Sequence, residues 1–309
     1  MDAPSPLPGD APWVERPEHP IALPCGRVLS AARRPLVMGI LNVTPDSFAD
    51  GGRFLGLAQA VEHARAMCDE GADIIDIGGE STRPGSEAVP ADEELRRVIP
   101  VIRELAAQIA VPISIDTQKA QVAAAALEEG AQIINDVSAL RTDPAMAPLA
   151  ARTGAPVVLM HMQGRPKTMQ KEPAYGEVVG EVLAWLRERV AHAVSAGIPL
   201  QKLVVDPGFG FGKRVEHNLE LLRRLHCLHA LGLPVMVGTS RKAMLGRILG
   251  APDSGSGPGP LDRLNGTLAT VACAVMAGCH VVRVHDVRPA LEVVKVCEAV
   301  RRGIAYDNA

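Results

Sequence analysis

Aromatic residues are scarce: four Phe, two Trp and two Tyr make up 3% of the 309 residues. The hydrophobic fraction is still 47%, enough over this length to bury one large core. An excess of either charge is also lacking. The formal net charge is −3 and the pI about 6.3, which suggests neither a nucleic-acid nor a membrane-surface partner. No apolar run approaches the ~20 residues of a membrane span; the longest, Leu268 to Ala277, is rich in alanine and reads as a buried helix. The first twenty residues have no basic stretch leading into an apolar one, so no secretory signal is expected. Their prolines predict an irregular extension. Six cysteines (Cys25, Cys68, Cys227, Cys273, Cys279 and Cys297) include no C-x-x-C pair, which argues against a zinc ribbon or a redox couple. Most fall in helix-like stretches and are expected to be buried small thiols in a reducing, cytoplasmic setting.

What is present is an alternation. From Leu36 onward, short β-branched runs at Leu36–Leu41, Ile74–Ile77, Ile113–Ile115, Ile133–Ile134, Val157–Met160, Leu203–Val205, Val235–Val237 and Val281–Val284 are separated by longer helical patterns. The clearest of these are Leu57–Glu70, Glu93–Gln108, Gln118–Glu129, Glu177–Ala196 and Val215–Leu231. Eight strands each followed by a helix predict an α/β fold, a closed (β/α)8 TIM barrel over residues 35–309. An open doubly wound sheet is the alternative. Gly71, Gly130, Gly154 and Gly278 each stand just ahead of a strand, where a left-handed residue would stop the preceding helix. Residues 1–34 form an N-terminal extension, with a β-hairpin over Ile21–Arg34 that would cap the bottom of the barrel. The insert DSGSGPGP, Asp253–Pro260, reads as a flexible surface loop without chemistry.

In such a barrel the C-terminal strand ends converge on one mouth. Those ends are polar here: Asn42 after the first strand, Gly78 to Arg83 after the second, and Asp116 after the third. Asn135 and Asp136 follow the fourth, His161 the fifth, Asp206 the sixth, Ser240, Arg241 and Lys242 the seventh, and the eighth carries Arg283 and His285. The opposite ends carry fewer such groups, among them Asp73 and Gln132. A ring of this kind describes a site with two halves. Asp116, Asn135 and Asp206 can bond the edge of a flat, nitrogen-rich ring, and buried carboxylates favour a ligand with several N–H donors. Asn42, Arg83, Arg283 and His285 suit an anion; Arg283 and His285 are two apart on a strand and share a face. Lys242 could serve either half.

Plainer readings stand beside these. Asp46 reads as a cap for a turn or helix, and Asp76 equally as a ligand group or as the structural partner of an arginine. His161 reads as a satisfied pocket-wall histidine, Lys213 as solvent-facing, and Glu62, Glu128 and Glu220 as helix-surface charges. The run Gly208–Lys213 fails the phosphate-loop spacing, because Pro207 stands where a glycine is needed and Arg214 where Ser or Thr is needed. It remains a loop whose backbone closely approaches a ligand, with Phe211 available to stack. No thiolate or His cluster suggests a protein-caged metal. A Mg²⁺ arriving with a pyrophosphate needs one or two protein oxygens, and Asn42 could supply one.

The segments Ile40–Gly52, Gly78–Gly85, Ser114–Thr117, Ile134–Ser138, His161–Gln170, Asp206–Lys213, Gly238–Lys242 and Arg283–Val287 together resemble the motif set of bacterial dihydropteroate synthases, in the same order. The resemblance implies a transferase of folate biosynthesis that joins 6-hydroxymethyl-7,8-dihydropterin pyrophosphate to p-aminobenzoate. It implies pterin contacts from Asp116, Asn135, Asp206 and Lys242, and a pyrophosphate site at Asn42, Arg283 and His285, with Asn42 also on Mg²⁺. Mobile loops would carry Thr82, Arg83 and Pro84 on one side and Phe48 and Asp50 on the other. Ser240 would meet the p-aminobenzoate carboxylate. The expected catalytic set is Asp50, Arg83, Lys242, Arg283 and His285. The family is expected to work as a homodimer, to use small-molecule substrates, and to be the target of sulfonamides. A methyltetrahydrofolate methyltransferase barrel and a catalytically silent pterin-binding homologue are the rival readings.

Overall fold

The structure, a computed structural model, describes residues 13–44, 52–81, 88–164, 168–250, 259 and 263–302. Eight parallel strands make up its centre: β3 (Leu36–Asn42), β4 (Ile74–Gly78), β5 (Ile113–Asp116), β6 (Ile133–Asp136), β7 (Val157–Met160), β8 (Leu203–Asp206), β9 (Met236–Val237) and β10 (Val281–Val284). Neighbours in sequence pair with one another from β3 to β8, and β10 lies between β3 and β9. A parallel bridge from Val205 to Val235, with the Val205 N–H donating to Pro234 O at 2.9 Å, joins β8 to the β9 segment and completes the ring. The TIM-barrel expectation holds, and the open sheet does not.

The strands are short continuous apolar runs because both faces are covered: helices lie outside and side chains fill the centre. Around them run α1 (Gly52–Asp69), α2 (Ala91–Ala106), α3 (Ala120–Glu128), α4 (Met146–Thr153), α5 (Val178–Ser195), α6 (Val215–Arg223), α7 (Ala243–Leu249), α8 (Leu264–Met276) and α9 (Val287–Arg302). On α2 the buried Val98, Val101, Ile102 and Leu105 recur at helical spacing, and Asp92, Glu93 and Glu94 fill the first turn, where the helix dipole favours negative charge. The helix predicted over Val215–Leu231 stops at Arg223 and continues as a 3-10 helix over Leu225–Leu231. The helix-stopping glycines behave as expected: Gly71, Gly130, Gly154 and Gly278 all have positive φ.

The bottom of the barrel is closed by the hairpin. β1 (Ile21–Ala22) pairs antiparallel with β2 (Val28–Leu29). Ile21, Leu23 and Leu29 pack with Leu36, Met38, Ile74, Ile133, Val158, Val204, Met236 and Val281, the inward residues of the strand entries. Asp73, at that end, accepts two hydrogen bonds from the Arg34 guanidinium (2.6 and 3.0 Å) and one from the Val37 N–H. It is a structural clasp. Plugging one end leaves the other as the mouth.

The cysteine expectation is corrected. Cys279 is buried, but Cys25 and Cys273 are exposed and Cys68, Cys227 and Cys297 half-buried. Cys25 lies in the turn of the hairpin; an outer helix of a barrel buries one stripe, and the other four positions fall at its margin or beyond it. Among the described residues no helix is long and apolar enough to cross a membrane. The Asp253–Pro260 insert lies essentially outside the described residues, between α7 and α8, as does Asp46.

Candidate active site

At the mouth, period-two alternation turns Asp76 of β4, Ser114 and Asp116 of β5, Asn135 of β6 and Arg283 of β10 inward; the register places Asp76 beside Ser114, and Asp116 beside Asn135. The Arg283 guanidinium reaches two carboxylates from across β3. Nε donates to Asp76 Oδ2 at 2.6 Å and Nη2 to Asp116 Oδ2 at 2.7 Å. Asn135 Nδ2 donates to the same Asp76 oxygen at 3.0 Å. Burial alone would push Arg283 down, but Asp76 and Asp116 outweigh it and raise its pKa. Asp116 is pushed up to about 7 by burial, with Arg283 opposing. Two buried oxygens in this group, Asp76 Oδ1 and Asn135 Oδ1, have no protein partner, so their acceptor capacity is available to donors on a ligand.

Asp206 ends β8 and is 3% exposed. Its Oδ1 accepts from the Gly208 N–H at 2.7 Å. Burial raises its pKa, opposed by that hydrogen bond and by Lys242, Arg283 and Lys213. Lys242 Nζ stands 4.1 Å from the centre of the Phe211 ring, a cation–π contact. Phe211 is buried against Val137, Met160, Met162 and Met169. A flat apolar face, a cation and acceptors with spare capacity thus lie on one part of the mouth.

On the neighbouring part, the loops after β9 and β10 are cross-linked at two successive positions. Ser240 Oγ lies 2.9 Å from His285 Nδ1 and also accepts from the His285 N–H. The Arg241 guanidinium grips Asp286 at 2.6 and 3.1 Å. Arg241 has φ +57°, and its N–H donates to Thr267 Oγ1. Asn42, His285, Arg241 and Arg288 border one cavity of about 600 Å³. A cavity of about 810 Å³ lies elsewhere, between α1 and α2; it is lined by helix-surface residues such as Arg65 and Glu104 and receives no strand tip.

The chain matches the family of pterin binding enzymes over residues 38–285. It is 51% identical over 265 residues to a dihydropteroate synthase of Escherichia coli K12, covering 86% of this chain and 91% of that one. The structure of Xanthomonas albilineans dihydropteroate synthase with 4-aminobenzoic acid superposes with a TM-score of 0.84 at 46% identity, covering 92% of this chain and 99% of that one. The same enzyme in complex with 7,8-dihydropteroate gives 0.79 at 44% identity, with 92% and 99% covered. The chain belongs to the dihydropteroate synthase family.

The structure of this dihydropteroate synthase homologue corrects several sequence expectations. The supposed separation of acidic from cationic groups fails at Arg283, which sits among the carboxylates. Two carboxyl groups withdrawn from water need a cation nearby, and a long guanidinium on β10 is within reach. Asp76 is the arginine partner that one of its two readings foresaw. Asp136 points away from the barrel centre and caps its own loop, accepting from the Ser138 and Leu140 N–H groups at 2.8 Å each. His161 is satisfied, by Lys213. Lys213 is not solvent-facing: it is 3% exposed beneath the loop after β8. The signal was its place directly after the glycine run, since left-handed glycines turn successive carbonyls inward. Glu80, one of the polar residues that follow β4, is held in an ion-pair network. It accepts from the Val89 N–H at 3.1 Å and from Lys119 at 2.5 Å, and Lys119 also bonds the buried Glu94. Phe48, Asp50, Thr82, Arg83 and Pro84 lie outside the described residues.

Proposed function

We propose that the chain makes 7,8-dihydropteroate in folate biosynthesis, joining 6-hydroxymethyl-7,8-dihydropterin pyrophosphate to p-aminobenzoate and releasing pyrophosphate. What carries the residue-level reading is the Asp116–Asn135–Asp206 arc beside the Phe211–Lys242 face. Carboxylate and amide groups with spare acceptor capacity match the N–H edge of a pterin, and the aromatic face and its cation match the ring plane. Asn42 and His285, on one cavity wall, are the pyrophosphate ligands. Arg283 joins them through N–H groups left over after its carboxylate bonds, since a guanidinium has five. Arg83, from the loop after β4, is assigned to the same anion.

Mg²⁺ is the cofactor in this reading. The described residues hold no group of three or more His, Cys, Asp or Glu that could cage a metal. The amide oxygen of half-buried Asn42 fits instead an ion that arrives on a diphosphate and keeps most of its waters. When bound, the ion supplies neutralisation of the diphosphate charge. Of the chain's own groups, Arg283 and His285 favour departure of pyrophosphate by stabilising the charge that develops on it. Asp50 stabilises positive charge on the pterin methylene carbon in a dissociative path. Ser240, with Phe48, Thr82 and Pro84, receives p-aminobenzoate. The bond between Ser240 and His285 then couples the two substrates' subsites.

A homodimer completes the reading. On α9, Val296 and Val300 are 64% and 56% exposed and, four residues apart, share one helix face. Sedimentation of the purified protein would report the dimer. The reaction is tested by a coupled assay with Mg²⁺ and both substrates. Release of pyrophosphate that depends on p-aminobenzoate is the expected result, and its absence from folded protein refutes the assignment.

A further inference from the structure

Lys213 lies beneath the ring-binding face, and the reaction as described does not use it. Its Nζ is within 2.9 Å of Gly208 O, 3.0 Å of Phe211 O and 2.8 Å of His161 Nδ1. An ammonium has three N–H donors; these three acceptors are the nearest to it, with His161 O more distant at 3.4 Å. The crown is made by the loop itself: Gly208, Gly210 and Gly212 have φ of +68°, +80° and +62°. The loop also lies tight on the end of β7, because a Cβ on Gly208 would fall 1.9 Å from His161 O.

We propose that Lys213 is a positioning residue for the pterin half of the site, and that His161 is the acceptor that seats its ammonium. The inference rests on the pterin assignment made above. Each contact leads to a group of that half. Phe211 O belongs to the residue whose ring faces Lys242, so fixing the carbonyl fixes the base of the ring. Gly208 is held by its carbonyl to Lys213 while its N–H donates to Asp206 Oδ1, so the same clamp sets the carboxylate. His161 suits the acceptor role because burial and the nearby Lys213 push its pKa down to about 2, which keeps the ring neutral. With Nδ1 accepting, the proton sits on Nε2 and the ring meets Trp185 edge-on at 4.8 Å. Burial, and to a lesser degree Lys242, lower Lys213 itself to about 7 with Asp206 acting against the fall, so the ammonium and the neutral amine are comparably populated at neutral pH and the ammonium dominates below it.

The test is steady-state kinetics on Lys213→Met, Lys213→Arg, His161→Leu, His161→Asn and Asp206→Asn. Asparagine can offer an oxygen close to the place of Nδ1, whereas leucine cannot. His161→Leu should raise KM for the pterin pyrophosphate about tenfold, the scale of one lost charge-assisted hydrogen bond, and Lys213→Met, which loses all three, by at least as much. The KM for p-aminobenzoate and kcat should stay within about threefold, a shift too small to represent such a loss. His161→Asn should restore most of the pterin KM, and Lys213→Arg only part, because a planar guanidinium does not fit a crown built for a point charge. A merely structural lysine would lower the active fraction and hence kcat, or would raise both KM values together; either result overturns the proposal. If Lys213→Met does not fold, the two His161 variants decide, and equal behaviour of Leu and Asn overturns it. An Asp206→Asn enzyme with unchanged pterin KM overturns the underlying site assignment and this proposal with it. A raised KM there beside an unchanged one in Lys213→Met overturns the proposal alone.

Discussion

Replacing Arg283 with methionine tests whether the carboxylates at the mouth are held by one guanidinium. The side chain bonds Asp76, whose side chain is fully buried, and Asp116, whose side chain is 11% exposed. Methionine fills much of the volume, so the loss is chiefly electrostatic. Removing one partner of a buried ion pair typically costs about 3–5 kcal/mol. For a chain of this length each kcal/mol lowers Tm by roughly 2 °C, giving a drop of about 6–10 °C at pH 8. The drop should shrink at pH 5. Asp116 is already raised to about 7 against the lowering effect of Arg283, and without that effect it holds its proton more tightly still. Its proton therefore favours the folded variant at low pH, a contribution lost as pH rises through the folded pKa. Scanning calorimetry at the two pH values is the assay, with Arg283→Lys as a partial replacement, since one ammonium cannot reproduce a two-armed bridge. A variant within about 2 °C of the parent at pH 8, or an equal drop at both pH values, would refute the reasoning.

Other outcomes follow from single contacts. Asp206→Asn should raise the pterin KM about tenfold or more with kcat little changed; initial rates at varied pterin pyrophosphate would expose the reverse pattern. Gly208→Ala places a Cβ 1.9 Å from His161 O at φ +68° and should cost several kcal/mol, above the ~1–2 kcal/mol of a left-handed alanine alone. Denaturant titration with an unshifted midpoint would contradict that close approach. Leu29→Ala opens the hairpin plug and should cost about 2–5 kcal/mol while leaving substrate KM values unchanged; a changed KM would mean that the plug reaches the mouth. Asp116→Asn removes a group whose folded pKa, about 7, exceeds its ordinary 3.8. The parent should lose stability from this group between about pH 4 and 7, and the variant should lack that limb of the Tm–pH curve; a limb of undiminished size assigns it to another group.

Local pattern determined much of this protein. Eight β-branched runs, buried on both sides, cannot lie at a surface, and glycines before four of them stop the helices, so the barrel follows from periodicity and punctuation. The polar residues at the strand ends were readable for the same reason: strand direction alone puts Asn42, Asp116, Asn135, Asp206, Arg283 and His285 at one mouth. Helix exposure was less legible. The cysteines at positions 68, 227 and 297 lie at the edge of a buried stripe, where one step of helical phase separates core from solvent. What sequence spacing could not supply was which charges meet. Arg283 belongs with Asp76 and Asp116 because a guanidinium on β10 spans β3, a distance set by barrel curvature and not by chain separation. Lys213 is buried because three left-handed glycines fold its own loop over it, and desolvation is tolerable there only through carbonyls and the histidine that follows β7. Periodicity assigns a residue to a face; tertiary packing assigns a charge its partner.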